Sequence, residues 1–326
     1  MLTALAWSAV GLLLLVAGSE FIVRGGTRFA GRLNISPVVI GATIIAIGTS
    51  TPELAVGIDS VLTGNGNLAI GNIAGTNVVN ILLILGLSAL MLPMAIRNET
   101  LLLDLPMIVV ASCALLFMAS DGYLSRNEGI ILLIFSVGYT AAIIQSARRE
   151  SRRVKAEFRE ELREMAPPPL LAGSSWQKEI LAIVVGIAVV VYGADFLVKG
   201  TVDLARLWGV SEEFIGLTII AIGTSSPELV TTIVSTLRNQ REIAIGNLLG
   251  SSVYNILVIL GITIVVPSEP VAVSPSLIGI DIPVMTAVAL LCVPVFYSGR
   301  VVSRFEGAVM VGLYLAYLVF LVVTRT

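Results

Sequence analysis

Long apolar segments, separated by short polar ones, recur along nearly the whole chain. A helix needs about 20 such residues to cross the hydrocarbon core of a bilayer. Strands of an outer-membrane barrel would instead show shorter segments of alternating polarity. The pattern therefore predicts an all-α integral membrane protein with ten transmembrane helices. Their predicted positions are 4–24, 37–62, 68–92, 101–119, 127–146, 179–200, 213–235, 243–266, 277–297 and 304–323.

Two stretches of the chain occur twice at one constant spacing. GATIIAIGTSTPEL at 41–54 returns as GLTIIAIGTSSPEL at 216–229, with 12 of 14 positions identical and an offset of 175 residues. AIGNIAGTNVVNILLILGLS at 69–88 returns as AIGNLLGSSVYNILVILGIT at 244–263, again offset by 175. Such self-similarity indicates a duplicated structural unit. We expect a first five-helix repeat at 1–147, a linker at 148–178, and a second five-helix repeat at 179–326.

The odd number of spans in each repeat predicts that the two repeats are inverted in the membrane. With the 148–178 linker in the cytoplasm and both termini outside, 16 of the 20 basic residues fall on the cytoplasmic side. That distribution agrees with the positive-inside rule. Inverted repeats are typical of transporters whose site lies near the midplane, so we expect a multi-pass protein of the plasma (inner) membrane.

The amino-acid composition excludes several kinds of partner and reaction. The chain has 326 residues, is 56% hydrophobic and only 13% charged, and has a net charge of −2. Scattered basic residues argue against nucleic acid as a partner. Because histidine is absent, imidazole catalysis and histidine-ligated metals are excluded. No nucleophile–base pair is recognisable, so we expect neither an enzyme nor a cofactor.

Proline and glutamate interrupt the apolar run in both copies of the first repeated stretch. Pro52 and Pro227 cannot donate to the carbonyl four residues back, and unpaired backbone oxygens at membrane depth are tolerated only beside a cavity, another helix or an ion. An ionised glutamate is costly there unless it is partnered, yet no lysine or arginine lies in the same spans to neutralise Glu53 or Glu228. A cation that comes and goes is the simplest explanation. Hydroxyl residues on the same predicted helix face add oxygens: Thr49, Ser50, Thr224 and Ser225.

The second repeated stretch adds polar stripes spaced by four residues. One stripe holds Asn72, Thr76 and Asn80, and the other holds Asn247, Ser251 and Asn255. Polar side chains between membrane helices either bind a ligand or join the helices by hydrogen bonds. For Asn72 and Asn247 both interpretations stay open, whereas the ligand interpretation is favoured for the other four. An all-oxygen site with two carboxylates suits a hard cation such as calcium or sodium.

Other acidic residues have structural interpretations. Glu20 and Asp195 each precede a basic residue by four positions, which predicts i,i+4 ion pairs. Asp104 and Asp281 lie just before Pro106 and Pro283, where we expect helix N-terminal capping.

The two GTS-x-PEL segments and the following G-[TS]-x-x-x-N segments resemble the alpha repeats of the sodium/calcium exchanger family, within the cation/calcium antiporter superfamily. With the helix count, the resemblance covers essentially the whole chain. It implies that Glu53 and Glu228 are the central carboxylates for calcium and sodium. It further implies hydroxyl ligands from Ser50, Ser225, Thr76 and Ser251. It also implies backbone-carbonyl ligands from Thr49, Thr224, Ala46 and Ala221, and two amides, Asn80 and Asn255, that line the centre.

Departures from the family pattern refine the expected function. Proton-coupled calcium exchangers carry Gly-Asn-Ala where this chain has Gly-Thr-Ser at 48–50 and 223–225. Potassium-dependent relatives carry aspartate where Asn255 stands. We therefore expect an antiporter that exchanges calcium for sodium by alternating access, with these ions and the lipid bilayer as its partners and no obligatory protein partner. The alternatives are a proton-coupled cation exchanger and a calcium-selective channel.

Overall fold

The computed structural model describes residues 1–33, 35–98, 100–149, 176–208 and 221–325. Within these ranges the chain is nearly all helical. In chain order the helices are α1 (Leu2–Leu33), α2 (Pro37–Thr49), α3 (Thr51–Leu62), α4 (Gly66–Met91), α5 (Thr100–Asp121), α6 (Arg126–Arg149), α7 (Trp176–Leu207), α8 (Ala221–Thr224), α9 (Ser226–Leu237), α10 (Arg241–Val265), α11 (Leu277–Tyr297) and α12 (Arg304–Arg325).

Eight of the described helices are long and apolar enough to cross a membrane, and the bent pair α2 and α3 forms a ninth candidate span. The seventh predicted span, 213–235, begins outside the described residues, which resume at α8 and α9. Most of the predicted 148–178 linker also lies outside them. The protein is thus a multi-pass helical membrane protein.

Helices α1 and α7 are longer than the sequence pattern predicts, because each contains 32 residues. The predicted ends at residues 24 and 200 fall at or just after the charged pairs Glu20/Arg24 and Asp195/Lys199. Those charges do not stop the helices, since each is neutralised on the helix surface. Arg24 pairs with Glu20 at 2.5 Å and Lys199 with Asp195 at 2.7 Å, which confirms both predicted i,i+4 ion pairs.

The buried centre of the molecule is built from α4 and α10. Their apolar windows are 78% and 83% buried, whereas those of the other six single-helix spans are 17–39% buried. Helices that remain largely covered inside a membrane protein must contact other helices on every face. These two helices carry the polar stripes, so the stripes lie at the centre rather than against lipid.

Repeat-related residues make reciprocal contacts between the two sequence halves. A Cβ placed on Gly86 of α4 would lie 3.0 Å from the Gly307 carbonyl oxygen of α12, and one on Gly129 of α6 would lie 2.9 Å from that of Gly261 in α10. Gly261 follows Gly86 by 175 residues. Small residues allow this close backbone approach between membrane helices. The outer helix of each half therefore packs on the inner helix of the other.

Two short antiparallel ladders also join the two halves of the chain. Strand β1 (Met94–Ala95) pairs antiparallel with β4 (Val301–Val302), and β2 (Tyr123–Leu124) pairs antiparallel with β3 (Val271–Ala272). The registers place Met94 opposite Val302 and Tyr123 opposite Ala272. Each ladder joins one loop of the first half to one of the second, which fixes the loops that follow α4 and α5.

The capping role predicted for Asp104 and Asp281 is wrong. Neither side chain caps its helix. Instead, Asp104 accepts a hydrogen bond from the Tyr139 hydroxyl at 2.8 Å, and Asp281 accepts one from the Tyr317 hydroxyl at 3.0 Å. Each aspartate is the last residue of a π-helical segment and is buried, so its carboxylate faces a neighbouring helix rather than the free N–H groups of a helix end.

Candidate cation site

Two glutamates with no exposed surface lie at the centre of the molecule. Glu53 is in the first turn of α3 and Glu228 in the first turn of α9, and both side chains are 0% exposed. A helix N-terminus favours negative charge because its N–H groups are unpaired and its dipole is positive there. None of the ion pairs found among the described residues involves either glutamate. Each therefore remains available to a mobile cation.

The helix breaks that create these N-termini are fixed by local chemistry. Helices α2 and α3 meet at an angle of 41°, and Ser50 between them has φ −82° and ψ 13°. Ser225 adopts φ −82° and ψ 2° between α8 and α9. In both places a proline follows two residues later and cannot donate to the helix. The break therefore arises from the same sequence in both copies.

The carbonyls freed by the prolines are bound by side chains that sequence reasoning missed. Thr51 donates its hydroxyl to the Gly48 carbonyl at 2.8 Å, and Ser226 donates to the Gly223 carbonyl at 2.7 Å. The signal was present, because a hydroxyl residue stands immediately before the proline in both copies. These two carbonyls are satisfied within the protein, so they need no ion.

One hydroxyl crosses between the two sequence halves to a central carboxylate. Ser50 donates to Glu228 Oε1 at 3.1 Å, although continuous-helix spacing placed Ser50 and Glu53 on one face. The bend at Ser50 redirects its side chain towards α9. Both Glu53 oxygens and Glu228 Oε2 are buried and accept no hydrogen bond from the described residues. Three carboxylate oxygens are therefore open to a ligand.

The threonines of the motif pair with the stripe asparagines of the opposite half. Thr49 donates to Asn247 Oδ1 at 3.2 Å, and Thr224 donates to Asn72 Oδ1 at 3.5 Å. Asn247 Nδ2 in turn lies 3.4 Å from the Thr232 hydroxyl. Of the two interpretations left open for these asparagines, the interhelical hydrogen bond is thus the one that the geometry shows.

Hydroxyls of α4 and α10 reach the broken segments. Ser251 lies 3.4 Å from the Ala46 carbonyl oxygen, which also accepts from the Ser50 N–H at 3.1 Å. Ser225 donates to the Thr76 hydroxyl at 3.4 Å. Ala221, the repeat-related counterpart of Ala46, is the first residue of α8. These predicted site residues, apart from Ala221, are thus joined by direct contacts.

Two asparagines complete the centre, one on each of the buried helices. Asn80 and Asn255 are 0% exposed and lie in the π-helical segments Val79–Leu85 and Asn255–Leu260. Both amide atoms of Asn80, and Oδ1 of Asn255, have no hydrogen-bond partner among the described residues. Asn255 Nδ2 contacts Asn77 Oδ1 at 3.5 Å. Asn77 lies outside the predicted stripe of every fourth residue and was missed for that reason.

The donor set consists of carboxylate, hydroxyl, amide and backbone oxygens. Within the described ranges, no group of three or more His, Cys, Asp or Glu side chains could hold a metal ion, so the two glutamates are the acidic part of this site. Oxygen-only donors favour hard cations. Fold and site together define a membrane transport protein with a buried candidate cation site.

Comparison with known proteins identifies the family. The chain matches sodium/calcium exchanger proteins over residues 3–145 and 178–323. It is 33% identical to a putative antiporter, CaxA, of Alkalimonas amylolytica, covering 97% of this chain and 98% of that protein. It is 30% identical to the sodium/calcium exchanger MaX1 of Methanosarcina acetivorans, with 96% of each covered. This chain belongs to the sodium/calcium exchanger family, whose members are cation/calcium antiporters rather than enzymes.

The structural comparison agrees with this assignment. The solved sodium/calcium exchanger from Methanococcus jannaschii superposes with a TM-score of 0.80 at 26% sequence identity, covering 98% of both chains. A likeness over nearly the full length of both proteins includes the central helices and the broken segments. The exchanger fold therefore extends over 98% of the chain.

Proposed function

We propose that this protein exchanges calcium for sodium across the membrane by alternating access. The observation that carries the proposal is the pair of fully buried glutamates, Glu53 and Glu228, three of whose four oxygens have no partner among the described residues. Two negative charges at membrane depth need compensation. One divalent ion or two or more monovalent ions supply it, and competition for shared oxygens couples the two kinds of ion.

The proposed ligands are the twelve residues that the sequence analysis assigns. Carboxylates come from Glu53 and Glu228, and amide oxygens at the centre come from Asn80 and Asn255. Hydroxyl and backbone oxygens complete the set: Ser50, Ser225, Thr76, Ser251, Thr49, Thr224, Ala46 and Ala221. The direct contacts among seven of these residues support the assignment.

The proposed topology has ten transmembrane helices in two inverted five-helix repeats, 1–147 and 179–326. The 148–178 segment is cytoplasmic and the termini lie outside, in a plasma (inner) membrane. The reciprocal glycine contacts and the 16-to-4 distribution of basic residues support this arrangement.

The proposed motion is a sliding of α1 and α7 against the core that holds the site. These helices pack closely on each other, because a Cβ on Gly18 would lie 2.8 Å from the Gly186 carbonyl and one on Gly11 would lie 2.7 Å from the Gly193 carbonyl. Such close backbone packing supports movement of the pair as one body. It would open the site to one side of the membrane at a time.

Sodium coupling is favoured over proton coupling by the hydroxyl residues beside each glutamate. Thr49, Ser50, Thr224 and Ser225 provide neutral oxygens of the kind that sodium binds, and proton transfer would need none of them. The relative named a sodium/calcium exchanger supports the same choice. A channel is disfavoured because two sites from inverted copies form one closed centre rather than a ring along a pore.

The test is radioactive calcium uptake into proteoliposomes that contain the purified protein. Vesicles loaded with sodium and diluted into sodium-free buffer are expected to accumulate calcium, whereas matched vesicles given only a proton gradient are not. Glu53→Gln and Glu228→Gln should abolish uptake. Asp59→Asn, a change of an exposed acid on α3, serves as the control and should transport normally.

Each alternative has a distinct result in this assay. Uptake driven by the proton gradient alone would replace sodium by protons as the coupling ion. Calcium flux that needs no counter-ion would instead indicate a channel.

A further inference from the structure

Three side chains form a line from a helix outside the ion site to the centre of that site. Met285 of α11, Asn77 of α4 and Asn255 of α10 are each 0–1% exposed. Asn77 Nδ2 lies 3.5 Å from Met285 Sδ, and Asn255 Nδ2 lies 3.5 Å from Asn77 Oδ1. The line ends at Asn255 Oδ1, which has no partner among the described residues.

The chemistry of the three groups fixes the direction of both amides. A thioether sulfur accepts a hydrogen bond but cannot donate one. The NH2 group of Asn77 must therefore face Met285, which leaves the Asn77 oxygen towards Asn255. Because the Asn77 oxygen can only accept, Asn255 must donate to it from its own NH2 group. Its oxygen then faces away from Asn77, as the unpartnered end of a buried amide.

The other half of the molecule lacks this arrangement. Ser252 follows Asn77 by 175 residues, and its hydroxyl bonds to the Leu248 carbonyl of its own helix at 2.9 Å. Asn80, the counterpart of Asn255, has no partner for either amide atom among the described residues. One central amide is therefore held in a fixed direction, and its counterpart is not held by the equivalent residue.

We propose that Asn77, oriented by the Met285 thioether, is a positioning residue that fixes Asn255 with its amide oxygen as a ligand for the transported ion. This inference rests on the proposed function only in the identity of the ion. It also explains why an amide rather than an acid stands at 255, since a carboxylate could not donate to Asn77.

The test is calcium titration of the purified full-length protein, followed as the calcium-dependent shift in melting temperature, alongside uptake in proteoliposomes. Asn77→Leu should raise the half-saturating calcium concentration about tenfold, the effect of misorienting one buried neutral ligand. The maximal uptake rate should stay within about twofold, because a neutral ligand is misdirected and not removed. Ser252→Ala, at the repeat-related position, is the control and should bind calcium as the unmodified protein does.

A double-mutant cycle separates positioning from general packing. In an Asn255→Ala background, Asn77→Leu should cause no further rise in the half-saturating concentration. Met285→Leu keeps the side-chain volume and removes only the acceptor, so it provides the same test if Asn77→Leu does not fold. It should weaken calcium binding in the unmodified background and leave the Asn255→Ala variant unaffected.

Unchanged calcium binding in both Asn77→Leu and Met285→Leu would overturn the inference, and so would effects that simply add to that of Asn255→Ala. A protein that binds calcium with the expected Asn77 dependence but shows no sodium-driven uptake would overturn the proposed function instead. The two proposals therefore fail in different assays.

Discussion

Ser50 and Glu228, 178 residues apart in sequence, meet at 3.1 Å between Oγ and Oε1. This hydrogen bond joins the broken helix of one half to the carboxylate of the other. It restrains Glu228 before any ion arrives, which lowers the cost of organising the site on binding.

Ser50→Ala should therefore weaken calcium binding. Removing one charge-assisted hydrogen bond costs about 1.5–3 kcal/mol, which corresponds to a rise of roughly ten- to 150-fold in the half-saturating calcium concentration of uptake. Ser60→Ala on α3 is the control, because the Ser60 hydroxyl donates to the Val56 carbonyl of its own helix. Equal calcium dependence of the two variants would contradict the role given to Ser50.

Gly250 allows α10 to touch α2, and a side chain there should disrupt the site. A Cβ on Gly250 would lie 2.5 Å from Ala42 Cα and 2.7 Å from its carbonyl oxygen. Because backbone atoms cannot move aside cheaply, Gly250→Ala should lower the free energy of unfolding by about 1–3 kcal/mol and reduce calcium uptake.

Gly138→Ala is the matched variant for that experiment. No described atom lies within 4 Å of a Cβ at Gly138 in α6, and alanine is the better helix former by about 1 kcal/mol. Thermal unfolding in detergent should show Gly138→Ala at or above the unmodified protein and Gly250→Ala below it. The reverse order would rule out the close α2–α10 contact.

An ionic contact between α1 and the end of α9 exists on one side of the molecule. Glu20 accepts from Arg238 at 2.7 Å in addition to its pairing with Arg24. Asp195 is the repeat-related counterpart of Glu20. The position equivalent to Arg238 is occupied by Thr63, which carries no charge. Arg238→Thr should therefore reduce the population of the conformation in which α1 lies against α9. An exposed ion pair contributes about 0.2–1 kcal/mol, so the change should be up to roughly fivefold and should shrink at high salt.

Distance distributions between spin labels at Phe21 and Leu237, in a cysteine-free background, measure that population. Both side chains are well exposed, at 50% and 69%. Lys199→Thr is the control, because the pair that it breaks lies within α7 alone. Identical distributions in the Arg238→Thr and Lys199→Thr proteins would mean that the contact does not bias the conformation.

The buried Asp104–Tyr139 pair should stabilise the packing of α5 on α6. Tyr139→Phe removes the hydroxyl donor from a carboxylate that is only 2% exposed. We expect a loss of about 1–3 kcal/mol in the free energy of unfolding, with little change in the half-saturating calcium concentration. Tyr317→Phe, which acts on Asp281, should shift the melting temperature in the same direction. A large change in calcium dependence without loss of stability would place the pair in the ion site instead.

The sequence predicted most closely the spans that form one uninterrupted helix, and the prediction 277–297 coincides with Leu277–Tyr297. The predictions 68–92 and 243–266 agree closely with Gly66–Met91 and Arg241–Val265. The predicted ends of α1 and α7 were too early because each was placed at or just after a charged pair, Glu20/Arg24 or Asp195/Lys199. A charge that is paired at i,i+4 on the helix surface does not end the helix.

The residue types of the site were predictable, but their partners were not. Carboxylates and hydroxyls in an apolar repeat indicate cation chemistry wherever they fold. Pairings across the halves depend on the bend at Ser50 and on the packing of α4 against α10, neither of which local spacing encodes. Asn77 shows the same limit, because its importance comes from Met285, a residue 208 positions away.

The packing of the outer helix of each half on the inner helix of the other has a consequence for the synthesis of the protein. Gly86 of α4 meets Gly307 of α12, and α12 follows every other described helix in the chain. The contact of α4 with α12 around Gly86 cannot form until nearly the whole polypeptide has been translated. The packing of α4 in the first half is therefore completed only late in synthesis, after α12 has been made.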